Sequence, residues 1–391
     1  MKRKFLLLSL TGLLSLFVTA QQKILRPDGQ SLSVATVDRI VKRLMDTAKV
    51  TGLCLGIVND NKIRYVQAYG YKNKPAGQLN DTATCFYGAS FSKAVFAYLV
   101  MQLVDEKLID LDKPLYSYLP KPIPDYKKYE DLQGDDRWKL ITARHCLDHT
   151  TGFPNWRQFN PRDNSKLEIF FTPGTRYAYS GEGLVLLQLV VETITGKGLE
   201  DLAQEKIFRP LGMIRTGYLW QPAFESDYAV GHTASEDTLP KRRRTSTNAA
   251  GSLETTIADY TRFIAAVMQG RGLSAASKKE MLTPQIAIHS NHQFPSLNPD
   301  TTDRDKAIRL SYGLGWGIFT SSAGKAFFKE GHDEGWQHFG ICFPDRKAAL
   351  VIMTNSDHGE SIYKELVREL AGADIPWEWE GYTPYSTGSS R

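Results

Sequence analysis

The chain has 391 residues, 42% of them hydrophobic, with 7 Trp, 18 Tyr and 18 Phe, which supplies a packed core and excludes wholesale disorder. One large domain or two intimate halves are both compatible with this length. Lys2, Arg3 and Lys4 account for three of the five units of formal net charge; without them the balance is close to neutral, and no nucleic-acid partner is expected.

The first twenty residues read as an export signal: a basic "MKRK", an apolar "FLLLSLTGLLSLFV", then Val18 and Ala20 at positions a signal peptidase accepts. The apolar run is shorter than the ~20 residues of a membrane span, and no cysteine follows it to take a lipid. The expected product is periplasmic or secreted, cleaved after Ala20, with no membrane span in the mature chain. Cys54, Cys85, Cys146 and Cys342 form no CxxC, and Cys54 and Cys342 fall in strand-like runs, so buried free thiols are expected even where disulfides are permitted.

Apolar residues Val37, Ile40, Val41 and Leu44 predict an amphipathic helix over "SVATVDRIVKRLMDTAKV". "GLCLGIV" and "KIRYVQAYGY", joined by "NDN", predict a hairpin. Helices are then predicted over 90–106, 142–149, 183–195 with Gly196 as cap, 199–208, and 256–269 closed by Gly270. The cationic "KRRR" at 241–244 reads as a solvated loop. Three more strands, "KAFFKEG", "QHFGICF" and "KAALVIMTN", precede a closing helix in "GESIYKELVRELAG". The expected architecture is α/β (α+β): a five-stranded antiparallel sheet with flanking helices from about 34–88 and 306–371, and a mostly helical half over about 89–305. The domain is expected over 21–371, followed by a tail over 372–391, with a site in the cleft between the halves.

Chemistry is concentrated at "SFSK". Positions three apart share a helix face, so the Lys93 amine can reach the Ser90 hydroxyl, which is a poor nucleophile until a base takes its proton. As first residue of its helix, Ser90 also keeps a free backbone N–H near whatever its oxygen attacks. A structural reading is also open on these residues alone, with Ser90 as cap and Lys93 extending to solvent. Ser-x-x-Lys also occurs at Ser322/Lys325 and Ser361/Lys364. Only Ser90 is followed in order by a Tyr-Ser, at Tyr179, and then by a strand edge carrying His332.

That order, Ser-x-x-Lys, Tyr-Ser, then a Lys- or His-led strand edge, resembles the serine β-lactamase and penicillin-binding superfamily, in particular its class C β-lactamase, D-aminopeptidase and family VIII esterase group. "LDHTTGFPNW", "IFRPLGM", "NAAGSLETTIADYTRFIAAVMQG" and "VIMTNSD" are similar to further segments of that group, and together the matches cover about 44–370. The resemblance implies a β-lactamase/transpeptidase-like fold. It makes Ser90 the acylated nucleophile, Lys93 its proton acceptor or electrostatic partner, and Tyr179 the base or relay that also protonates the leaving group. It implies no cofactor and no metal, and a small-molecule or peptide substrate. His145 and His149 have metal-ligand spacing but lack the HExxH glutamate, and fall in one of the matching segments.

Two departures bear on recognition. The group's Tyr-x-Asn is Tyr179-Ser180-Gly181 here, so an amide is missing. The third element, usually Lys/His-x-Gly, reads His332-Asp333-Glu334-Gly335, which needs a one-residue bulge to supply its glycine. His332, Gly335 and Gly181 are the expected substrate-binding and oxyanion residues, with the Gly335 N–H as second donor beside Ser90. Asp333 and Glu334 on the rim would repel an anionic substrate tail. The expected activity is therefore hydrolysis of an ester or amide, by an esterase or a D-amino-acid amidase or peptidase. The alternatives are a β-lactamase or D-Ala-D-Ala carboxypeptidase and, in another class, a non-catalytic binding protein that retains the fold.

Overall fold

The computed structural model describes residues 23–385, so the expected leader lies outside the described residues. In chain order the strands are β1 (Lys23–Leu25), β2 (Ser31–Ser33), β3 (Gly52–Asn59), β4 (Lys62–Asn73), β5 (Gln78–Leu79), β6 (Phe86–Ala89), β7 (Leu253–Thr255), β8 (Ile286–Ala287), β9 (Ser311–Tyr312), β10 (Gly317–Ser321), β11 (Gly324–Asp333), β12 (Trp336–Phe343) and β13 (Ala348–Thr354). Nine of them form one antiparallel sheet in the order β5-β4-β3-β13-β12-β11-β10-β9-β8. The five expected strands are its centre. The additions lie at its edges, where β5, β8 and β9 are two residues long and too short to show a period.

Strands β3, β12 and β13 are buried along their whole length, because helices cover both faces of the sheet. On one face the helices Val34–Ala48 and Tyr363–Ala371 pack Leu44 and Val367 with Leu55, Phe339 and Ile352. On the other, Phe91–Asp105 and Ile257–Gln269 pack Phe91 and Phe263 with Val58 and Val351. The helix Phe91–Asp105 is apolar on nearly every side, as a helix inside a core must be. The predicted 199–208 helix is α-helical over Leu199–Ala203 and widens to a π-turn over Gln204–Phe208.

Two expectations change. The described residues after 371 are docked rather than trailing: Trp377–Glu380 is a short helix, and Trp377 and Trp379 join the core beside Phe328, Phe339 and Tyr177, since two indoles carry much apolar area. The "KRRR" run is only partly solvated. Lys241, its side chain 4% exposed, pairs with the fully buried Glu254 at 2.6 Å, and Arg244 reaches the same carboxylate at 3.1 Å. A buried carboxylate demands such partners. All four cysteines are buried and free.

Candidate active site

The turn between β6 and the helix Phe91–Asp105 presents Ser90. Ala89 adopts φ +45°, a left-handed conformation that costs a non-glycine residue about 1–3 kcal/mol. Surrounding bonds hold it there: the Ser92 hydroxyl donates to the Ala89 carbonyl at 2.5 Å and accepts from the Leu253 amide at 3.0 Å. The turn leaves Ser90 partly exposed at the helix start, while Lys93 one turn later is buried. Lys93 Nζ donates to Ser90 Oγ at 2.8 Å and to the Ala250 carbonyl at 2.7 Å.

Tyr179 arrives from the segment before the helix Gly181–Thr195. The "LDHTTGFPNW" stretch wraps it: the Ala178 amide donates to the His149 carbonyl at 2.8 Å, the Ser180 amide to His149 Nδ1 at 3.1 Å, and the Ser180 hydroxyl to the Pro154 carbonyl at 2.9 Å. His149 also packs its ring 4.3 Å from that of Tyr179. This histidine orders the tyrosine wall. Gly181 plays a packing part: its amide is taken by Asn155, and a Cβ there would lie 2.6 Å from the Trp156 ring.

The residue that sequence reasoning missed is Lys329. It is fully buried on β11, and its Nζ donates to the Tyr179 hydroxyl at 3.0 Å and to Glu330 Oε1 at 2.6 Å. The Tyr179 ring stands between two amines, its centroid 4.9 Å from Lys93 Nζ and 5.0 Å from Lys329 Nζ. Gln293 donates to the same Glu330 oxygen at 3.1 Å. Lys329-Glu330-Gly331 spells Lys-x-Gly without any bulge, so the signal was present in the sequence, three residues before the one chosen.

The expected third element is corrected accordingly. The His332 ring points to Glu360, with Nδ1 2.6 Å from its carboxylate, and is largely exposed. The Gly335 amide donates to Asp357 Oδ1 at 2.5 Å, which occupies the proposed oxyanion donor. In its place β11 brings Gly331 against the serine turn, where a Cβ would lie 2.9 Å from the Gly88 carbonyl and 3.4 Å from the Phe91 nitrogen. The pairing of β11 with β10 ends at Phe328, so the following residues meet the turn along an edge that β10 does not cover.

Electrostatics separate the roles available to the two groups beside Ser90. Burial, reinforced by the charge of Lys329, holds the Lys93 amine well below its ordinary range, with Glu330 opposing in part. Burial and then the Glu330 carboxylate push the Tyr179 phenol well above its ordinary range. A lysine inclined to be a free amine and a phenol inclined to keep its proton make a base and an acid on either flank of one hydroxyl. Burial would raise the carboxyl of Glu330, but the charge and hydrogen bond of Lys329 outweigh it and keep it ionised.

Known proteins share this architecture. An octameric penicillin-binding protein homologue from Pyrococcus abyssi superposes with a TM-score of 0.70 at 21% identity, covering 89% of this chain and 79% of its own. The D-alanine carboxypeptidase AmpC from Burkholderia cenocepacia gives 0.67 at 20% identity, covering 86% and 97%. Penicillin-binding protein 4 of Amycolatopsis lactamdurans is 22% identical over 83% of this chain and 85% of its own. Esterase EstB of Burkholderia gladioli is 26% identical over 49% and 53%. The family profile described as Beta-lactamase matches residues 37–373, nearly all of the described chain. With its fold, its serine turn and that match in agreement, the protein belongs to the Beta-lactamase family.

Proposed function

We propose that the protein is an exported serine hydrolase that acts on an ester or amide through an acyl-enzyme on Ser90. The observation that carries this reading is the 2.8 Å bond from Lys93 to Ser90 beside a phenol held by Lys329. Ser90 Oγ attacks the carbonyl carbon as its proton passes to Lys93 Nζ. The resulting oxyanion lies between the Ser90 N–H and a backbone N–H on the edge of β11 after Lys329. When the bond to the leaving group breaks, Tyr179 gives that group its proton. The phenolate is stabilised by Lys329 until the proton held on Lys93 replaces the one given up. Water then attacks the acyl carbon with the same groups in reverse.

The binding-protein alternative drew only on an incomplete third element, and Lys329-Glu330-Gly331 supplies one. A β-lactamase or D-Ala-D-Ala carboxypeptidase is the second reading, favoured by Arg242 and Arg244, which line the same pocket as Asp333 and Glu334 and offset the acidic rim. A fluorophosphonate probe tests the main reading: an adduct on the peptide containing Ser90, lost in Ser90→Ala, is expected, and no labelling of the folded protein overturns it. Comparison of a chromogenic ester with a chromogenic cephalosporin decides between the two, with faster turnover of the ester expected.

A further inference from the structure

A pocket of about 240 Å³ opens beside β6, with Tyr87, Trp336, Lys241, Arg242, Arg244, Asp333 and Glu334 among its walls. Tyr87 lies three residues before Ser90, and its hydroxyl donates to the Gly251 carbonyl at 2.8 Å, next to the Ala250 carbonyl that holds Lys93. The pocket is therefore built on the same two segments as the nucleophile and its base. Tyr87 and Trp336 meet edge to face at 6.2 Å and give it an aromatic floor.

Its charges fall into two groups. Lys241 and Arg244 are committed to the buried Glu254, and the Arg244 guanidinium lies 3.7 Å over the Tyr87 ring. Arg242 on one wall, and Asp333 and Glu334 on another, make no ion pair with any described residue. They line one cavity yet do not close on each other. An exposed pair gains little by closing, so both signs stay available to a ligand.

We propose that this pocket is a subsite for a zwitterionic group of the substrate, an ammonium and a carboxylate a few atoms apart, as at the end of an amino acid or peptide. The carboxylate meets Arg242, the ammonium meets Asp333 and Glu334, and the intervening carbons lie on Tyr87 and Trp336. An anion alone meets the two carboxylates, and a cation alone meets Arg242 and the partly exposed Arg244. The subsite takes the acyl side, a placement that rests on the hydrolase reading. The leaving group has to lie beside the phenol that protonates it, and the pocket is built on Tyr87 and Trp336, not on the Tyr179 wall.

The test uses nitrophenyl esters of matched acyl chains ending in a methyl, a carboxylate, an ammonium, or an α-amino acid (the δ-ester of 2-aminoadipate). The last is expected to show kcat/KM about tenfold above the methyl ester, mainly through KM. Arg242→Gln and Asp333→Asn/Glu334→Gln are each expected to reduce that ratio to about threefold or less. Fluorophosphonate labelling of Ser90 reports that each variant is folded. A ratio near one in the wild type, preference for a singly charged ester, or variants that leave the ratio intact would each overturn the subsite. If no ester is turned over, the hydrolase reading fails, and calorimetry of free 2-aminoadipate with the Ser90→Ala protein decides the subsite. Binding that Arg242→Gln abolishes supports it; no binding refutes it.

Discussion

Replacing Lys329 by methionine separates its proposed part in catalysis from its part in the core. The Lys329 ammonium and the Glu330 carboxylate are 2.6 Å apart and both buried. At an effective dielectric of about 20, their attraction is about 6 kcal/mol, comparable with the several kcal/mol that burying each ion costs. The pair as a whole therefore adds little net stability. Removing one member is different, because an uncompensated buried charge costs about 3–5 kcal/mol. Lys329→Met is expected to lose that much in urea unfolding, and Lys329→Met/Glu330→Gln to regain most of it. Activity is expected to follow another pattern. The bond from Lys329 to the Tyr179 oxygen, 3.0 Å long, is charge-assisted and worth about 1.5–3 kcal/mol, or about 10- to 150-fold in rate. Both variants lose it. The assay is hydrolysis of an alkyl ester, whose poor leaving group needs the proton from Tyr179, measured where each variant is folded. If the double variant recovers the wild-type rate along with its stability, Lys329 serves only as a counter-ion to Glu330 and the proton-delivery argument falls.

Because burial and Lys329 depress the Lys93 pKa, kcat/KM is expected to rise with pH as the free amine forms and to fall as it is protonated. In Lys329→Met, one source of depression is gone, so this acid limb should move to higher pH; an unmoved limb in the pH profile would assign it to another group. Gly331→Ala places a Cβ 2.9 Å from the Gly88 carbonyl, and is expected to slow acylation by at least tenfold by pushing β11 off the serine turn, while fluorescence of the core tryptophans stays native; wild-type acylation would refute the close approach. Glu380 is buried without a hydrogen-bond partner for either carboxyl oxygen, and burial, together with the Glu330 charge, holds its pKa well above the ordinary value. An acid raised on folding loses stability as pH climbs above its unfolded pKa, about 4.3. Glu380→Gln should therefore flatten the decline of stability above that pH, and an unchanged slope in unfolding free energy against pH would contradict it.

Local patterns carried a large part of this structure. The hydrophobic runs of β3, β12 and β13, the buried helix behind Ser90, and the glycine stops at Gly196 and Gly270 are set by residues near one another in the chain, where spacing alone specifies the element. The three-residue separation of Ser90 and Lys93 is likewise one turn of helix, so their contact is a local matter. The edge strands of two residues had no such signature. Nor did the docking of Trp377 and Trp379, which depends on a surface assembled from β11 and β12.

The third element of the candidate site shows the division most directly. Lys329 and His332 lie three positions apart on one strand, and successive side chains alternate faces, so only one of the two can point at Tyr179. Motif order led to His332, and the same Lys-x-Gly pattern fits Lys329. The register of β11 against β12, with Lys329 opposite Gly340 and His332 opposite Gln337, and the packing of Gly331 on the serine turn sent the lysine inward and the histidine to Glu360. By itself, the sequence determined the serine turn, the family resemblance and the chain order of the candidate site residues, because each is written in short spacings. Which strand face meets the phenol is a long-range pairing decision, and only the tertiary structure could make it.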